Sequence, residues 1–248
     1  MDKPTVKRVG APAQAANPIS WNKPDSTALE NAQNGDKPIV IFFPGEAADQ
    51  NADSYVSDPA VKELVDGKAI FVKVPFTSDR EKSPNSDSPV PTCKLTGDNP
   101  SRDYGVKVYP TFVVADKFGN EYFRIESKKP TAKDLEGFFE RVSSKMEDAS
   151  KKLQKNLEAA NKAWAAKDRS NALKAVMRSF KEGLVGLEPV EPTVRLYNEL
   201  LEDARGEIKR LQDANDLKGL KALKGTLKGT EAEKDVDEAI AAPSNTSK

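Results

Sequence analysis

The first half of the chain alternates between helical and strand-like hydrophobic patterns. DSTALENAQNG begins with a capping residue, Asp25, and ends at an Asn-Gly turn, and the β-branched, apolar residues 37–43 follow it. AVKELVDG then has helical spacing with a stop at Gly67, and residues 69–74 repeat the apolar run. The pattern predicts helix, strand, helix, strand, with the strands buried.

A second set of predicted helices and strands follows a polar, proline-rich segment at residues 78–101. The order predicted there is a short helix end, a strand at 111–114, a turn at 117–120 and a strand at 121–125, which together form a hairpin. Thr131 is positioned to cap a further helix. A loop as long as 78–101 is unusual in a compact domain.

Beyond Arg141 the pattern is helical throughout, with two shorter helices expected near 217–227 and 231–240. Apolar stripes of this width usually face a core, so we expect a small antiparallel helical bundle. The stripes comprise Leu153, Leu157, Ala160 and Trp164, then Ala172, Leu173, Val176, Met177, Phe180 and Leu184, then Leu196, Tyr197, Leu200, Leu201, Ala204, Ile208 and Leu211.

The order of elements over about residues 25–145 resembles the thioredoxin-like superfamily. KPIVIFF is similar to the family's central strand, and YGVKVYPTFVVADKFGN is similar to its Tyr-Gly-Val, Pro-Thr and glycine-bearing hairpin. The resemblance implies an α/β thioredoxin-like domain with a mixed central sheet flanked by helices, followed here by an all-α helical bundle. It also implies a cis bond between Tyr109 and Pro110.

The family's Cys-x-x-C pair would fall near Ala48 and Asn51, in the turn FFPGEAADQN, and neither position is a cysteine. Dithiol exchange needs a thiolate of low pKa and a resolving thiol. The resemblance is therefore to a redox-inactive member, whose binding edge would comprise Tyr109, Pro110, Glu46, Ala48 and Asn51.

Composition narrows the possible chemistry further. The chain has 248 residues, no histidine and one cysteine, Cys93, so no intramolecular disulfide, His-based triad or His-ligated zinc site can form. Cys93 is the only candidate nucleophile, and we expect a non-enzyme. The 39 basic and 39 acidic residues cancel, so we expect no nucleic-acid partner, and no apolar run reaches the length of a membrane span.

No metal and no cofactor are predicted. Residues 49–53, DQNAD, match the first ligand positions of a calcium loop, but Ser54 replaces the turn glycine and Ala60 replaces the closing glutamate. Helix capping by Asp49 and Asp53 is the preferred interpretation.

The predicted organisation is a flexible leader at 1–20, a thioredoxin-like domain at 21–145 with the inserted loop 78–101, a helical domain at 146–242 and a disordered tail at 243–248. We expect a soluble chain. AQAANPISW resembles the start of a mature secreted protein, so a secreted or periplasmic location stays open.

Three functions remain open at this stage, each with a protein or peptide partner of unknown identity and an unknown oligomeric state. The first is a non-catalytic polypeptide-binding, adaptor or chaperone-like protein. The second is a single-cysteine oxidoreductase or redox sensor that uses Cys93. The third is a structural or assembly component that acts through the helical domain.

Overall fold

A computed structural model describes residues 19–46, 58–79 and 88–242. Four strands and eight helices lie in these ranges. In chain order they are α1 (Ser26–Gly35), β1 (Ile39–Phe43), α2 (Pro59–Gly67), β2 (Ile70–Lys73), α3 (Pro100–Asp103), β3 (Thr111–Ala115), β4 (Glu121–Glu126), α4 (Ala132–Ala165), α5 (Arg169–Lys181), α6 (Val190–Asp213), α7 (Leu217–Leu227) and α8 (Ala232–Ala241).

The strands form one mixed sheet in the order β2-β1-β3-β4. β1 pairs parallel with β2, with Ile39 opposite Ile70, and antiparallel with β3, with Phe43 opposite Thr111. β3 pairs antiparallel with β4 through the hairpin. Asn22 adds one parallel bridge to Val72 at the other edge of β2.

Helices cover both faces of this sheet because alternate strand residues point to opposite sides. On one face, Phe42 stacks on Phe112 at 4.3 Å between ring centroids, and α2 and α4 contribute Leu64 and Leu135 to the same cluster. On the other face, Ile41 packs with residues of α1 and with the segment around α3. β1 is buried along its whole length.

This arrangement is the thioredoxin-like fold, followed by a helical part. The parallel β1–β2 pair, the antiparallel β3–β4 hairpin and the helices on both faces match the predicted α/β architecture, and α5 to α8 supply the predicted all-α region. The predicted fold class is confirmed.

One helix joins the two parts of the chain. α4 has 34 residues and starts at a capping box, in which the Thr131 hydroxyl accepts from the Asp134 N–H and the Asp134 carboxylate accepts from the Thr131 N–H. Its first turns bury Leu135 and Val142 against the sheet, and its later turns bury Leu157 and Ala160 in the helical core. The predicted boundary at 145/146 thus lies inside a continuous helix.

The helical core is built around Tyr197 on α6, which is completely buried. Its ring meets Phe180 of α5 edge-on at 5.2 Å between centroids. α7 and α8 complete the core with buried apolar residues at helical spacing, namely Leu220, Leu223, Leu227, Ala232, Val236 and Ala239.

The β3–β4 turn holds the helical part against the sheet. The Asn120 side chain donates from Nδ2 to the Val185 carbonyl at 2.8 Å and accepts at Oδ1 from the Val185 N–H at 2.9 Å. Phe118 lies against Gly186 so closely that a Cβ there would come within 2.3 Å of the Phe118 ring. This contact and the φ of 73° both favour glycine at position 186.

Asp116 keeps Asn120 in place from inside the turn. Its buried carboxylate accepts from the Phe118 and Asn120 N–H groups at 2.8 and 3.0 Å, from the Asn120 side chain at 2.9 Å and from the Tyr122 hydroxyl at 3.2 Å. Burial nevertheless raises the pKa of Asp116, because loss of hydration outweighs these hydrogen bonds.

Several predicted boundaries differ from the structure. Ile19 is buried, so packing begins inside the predicted 1–20 leader. In the predicted loop 78–101, Leu95 is fully buried in the sheet core, Val90 packs on the helical core and α3 begins at Pro100. Residues 1–18, 47–57 with the predicted caps Asp49 and Asp53, 80–87 and the predicted tail 243–248 lie outside the described residues.

Two glycines of α7 are expected to respond oppositely to alanine. Gly225→Ala should stabilise the protein by about 0.5–1 kcal/mol, because a Cβ there meets nothing within 4 Å and alanine favours the helix. Gly219→Ala should destabilise it by about 1 kcal/mol, because its Cβ would lie 2.5 Å from the capping carboxylate of Asp216. Urea unfolding of both variants checks this, and a stabilising Gly219→Ala would contradict it.

Loss of the Asn120 side chain should weaken the contact between the two parts. We expect Asn120→Ala to lower the free energy of unfolding by about 1–3 kcal/mol, because it leaves backbone groups of Val185 and part of Asp116 without partners. Asn171→Ala, at an exposed helix start, is the matched control and should change the free energy by less than about 0.5 kcal/mol. If chemical denaturation showed that both substitutions lower the free energy of unfolding equally, the role given to the Asn120 side chain would be contradicted.

Asp116 should make stability depend on pH. Because its folded pKa is raised above the ordinary value of about 3.9, its contribution to stability is present below that value and is lost as pH rises through the folded pKa. The wild type should therefore gain stability relative to Asp116→Asn as pH falls from about 7 towards about 4. Unfolding curves of both proteins across this range measure the difference, and a constant difference would contradict the prediction.

Candidate functional site

Three segments meet at one edge of the sheet. β1 and β2 run parallel and β3 runs antiparallel to them, so the carboxyl ends of β1 and β2 lie beside the amino end of β3. The residues at this edge are Pro44 and Gly45 after β1, Phe76 after β2 and Tyr109 with Pro110 before β3. We call this set, with Val108, the proline edge.

Tyr109 is the centre of the proline edge. Its peptide bond to Pro110 is cis. Its ring meets Phe76 edge-on, with 5.5 Å between centroids, and its Cβ would lie 2.8 Å from a Cβ on Gly45, whose φ is 80°. The turn after β1 therefore contacts Tyr109 directly, which requires glycine at position 45.

The backbone around Pro110 is anchored on its inner side. The Thr111 hydroxyl donates to the Val108 carbonyl at 2.7 Å, and the Ser127 N–H donates to the Pro110 carbonyl at 2.9 Å. These bonds fix the loop before β3, so Val108 is presented outward from a rigid support.

Val108 is the exposed apolar residue of this edge. Its side chain is 40% exposed, and only it and Leu217 are large hydrophobic residues with exposed side chains among the described residues. Sequence reasoning missed Val108 and Phe76. The available signals were that Val108 directly precedes Tyr-Pro and that Phe76 lies three residues after the second strand, whose end meets β3 once β1 and β2 pair in parallel.

The predicted binding residues are only partly covered by the structure. Tyr109 and Pro110 are half-buried neighbours, and Glu46 is exposed next to Gly45. Ala48 and Asn51 lie outside the described residues. The structure thus brings Tyr109, Pro110 and the turn that leads to Glu46 together.

Cys93 lies at the other end of β3. Its thiol donates to the Phe118 carbonyl at 3.5 Å and lies beside Gly119, in the β3–β4 turn. The five residues of β3, at about 3.4 Å each, separate this turn from Pro110 by roughly 17 Å. The thiol is half-buried and does not face the proline edge.

Two tyrosines with raised pKa values, Tyr104 and Tyr122, contact or belong to the hairpin rather than the proline edge. Burial raises the pKa of Tyr104, whose hydroxyl donates to the Gly119 carbonyl at 2.6 Å. Burial likewise raises the pKa of Tyr122, which donates to Asp116. These shifts accompany structural hydrogen bonds.

No group of three or more histidine, cysteine, aspartate or glutamate side chains that could hold a metal ion occurs within residues 19–46, 58–79 and 88–242. In the same ranges, none of the helices combines the length and apolar character needed to cross a bilayer.

Comparisons with known proteins add little beyond the fold. No protein-family model matches the chain, and no curated protein matches it. Among solved structures, it is similar to one titled "DsbH Oxidoreductase", with 17% identity and a TM-score of 0.36 over 56% of this chain and 95% of that one. So distant a likeness carries no argument about activity.

Proposed function

We propose that this protein is a non-catalytic polypeptide-binding module that uses the proline edge to hold an extended segment of a partner. The observation that carries the proposal is the exposure of Val108 beside the Phe76–Tyr109 aromatic pair. Burial of such residues by a partner is favourable by about 25 cal/mol per Å² of apolar surface.

The geometry of the edge suits an extended ligand. In this proposal, Val108 and the aromatic pair that includes the next residue, Tyr109, provide an apolar shelf, and the hydrogen bonds around Pro110 anchor the loop that carries Val108. A preformed surface binds with a smaller loss of conformational entropy than a mobile one. An extended peptide could therefore place an apolar side chain on the shelf while its backbone follows the loop.

The position of Cys93 supports a binding role over a single-thiol oxidoreductase. Its distance from Pro110 separates the thiol from the edge where a bound segment would lie. An assembly role through the helical domain is less favoured, because Leu217 is the one large exposed hydrophobic residue that the described residues of that domain present.

The proposal predicts that two substitutions at the shelf weaken peptide binding. Val108→Glu and Phe76→Ala should each reduce affinity for unstructured apolar peptides about tenfold, because each removes apolar contact area. The probe is a set of synthetic peptides that alternate apolar and polar residues. Calorimetry gives the affinity, and amide chemical-shift mapping locates the site.

Two controls make this test specific. Leu217→Glu, which changes the other exposed large hydrophobic side chain, should leave affinity unchanged. Cys93→Ser should bind as the wild type does, and neither protein should reduce insulin disulfides. The proposal would be overturned if the wild type reduced insulin and Cys93→Ser abolished that activity. It would also be overturned if Val108→Glu and Leu217→Glu reduced peptide affinity equally.

A further inference from the structure

One face of α7 concentrates positive charge. Lys218, Lys221, Ala222, Gly225 and Lys228 are all exposed and recur at intervals of three and four residues. The first four therefore follow one another along a single side of the helix, opposite the buried leucines, and Lys228 is the C-cap residue directly after it. We call these five residues the lysine face.

The lysines of this face lack carboxylate partners. Among the described residues, no acidic group lies within ion-pair distance of Lys218, Lys221 or Lys228, whereas Lys224 on the flank pairs with Asp237. Asp216 is the acidic residue at the start of the helix, and its carboxylate is engaged in capping the Gly219 N–H at 2.8 Å. Three positive charges on one helix face thus remain uncompensated.

A cleft of about 430 Å³ opens beside the lysine face, between the start of α5, the end of α6 and α7. Ala222 belongs both to the lysine face and to the wall of this cleft. Arg169 on the rim is already neutralised by Asp203 and Glu207. The apolar part of the lining consists of Leu211, Ala222 and Leu223.

We propose that the lysine face and this cleft form a second contact surface, which binds an acidic polypeptide segment carrying one apolar side chain. The carboxylates of the segment would pair with Lys218, Lys221 and Lys228. Its apolar side chain would enter the cleft beside Leu211 and Leu223. The small residues Ala222 and Gly225 leave room for the segment to lie close to the helix, since a Cβ at 225 meets nothing within 4 Å.

Two observations favour a polypeptide over a nucleic acid at this surface. The chain as a whole has no net charge, which removes the general field that assists nucleic-acid binding. The five residues of the lysine face include no aromatic or arginine side chain on which a base could stack, and the two arginines that line the cleft, Arg169 and Arg210, pair with carboxylates.

The test uses a synthetic peptide of alternating glutamate and alanine with one central leucine, added to the full chain. We expect saturable chemical-shift changes confined to α7 and the cleft, and an affinity that falls as salt screens the charges. Lys218→Glu, Lys221→Glu and Lys228→Glu combined should reduce affinity at least about tenfold. Replacing the central leucine of the peptide by serine should also weaken binding.

The matched control reverses three exposed lysines of α4 that also lack ion pairs, Lys145, Lys155 and Lys162. This variant has the same net charge as the α7 variant and should bind the peptide as the wild type does. The proposal would be overturned if the peptide did not bind saturably or if both variants lost the same affinity for it. Tighter binding of a single-stranded oligonucleotide to the same residues would also overturn it. Because Val108→Glu leaves α7 intact, failure here is distinguishable from failure at the proline edge.

Discussion

The hydrogen-bonded contact between the sheet and the helical part depends on one side chain in a tight turn. The Asn120 amide donates to and accepts from the same residue, Val185, so it fixes both distance and direction between the hairpin and the loop after α5. A carboxamide can do this because it carries a donor and an acceptor in one plane. Asp116 holds Asn120 in place by accepting hydrogen bonds from its side-chain amide and from its backbone N–H.

The β3–β4 turn and the proline edge lie at opposite ends of β3. Cys93, Tyr104 and Tyr122 lie at the hairpin end of β3, where the helical part is attached. The proline edge lies at the opposite end, where Val108 is exposed. The helical part therefore contacts one end of the sheet, while Val108 stays exposed to solvent at the other.

Local patterns were sufficient to predict most of the fold. Apolar runs gave β1 and β2 within about two residues, Thr131 was correctly assigned as a helix cap, and the spacing of leucines located α7. These features depend on neighbours in sequence. The Asn120–Val185 contact joins residues 65 positions apart, and Leu95 is buried by elements on both sides of it in sequence, so neither was foreseeable from spacing.

The sequence predicted the part of the candidate site that lies in a local motif and missed the part that long-range contacts bring together. Tyr109 and Pro110 stand in a recognisable motif, whereas Phe76 joins them only because β2 ends beside β3 after the sheet has formed. Whether Val108 would point outward depended on the hydrogen bonds that anchor the loop around Pro110, which no local pattern records.

The continuous helix α4 has a mechanical consequence. A flexible linker between two domains lets each reorient freely, but 34 helical residues form a rod of about 50 Å. Its first half is clamped to the sheet and its second half to the helical core, so any swing of one part must bend or break the rod. A force applied to one part would accordingly be transmitted to the other through this helix.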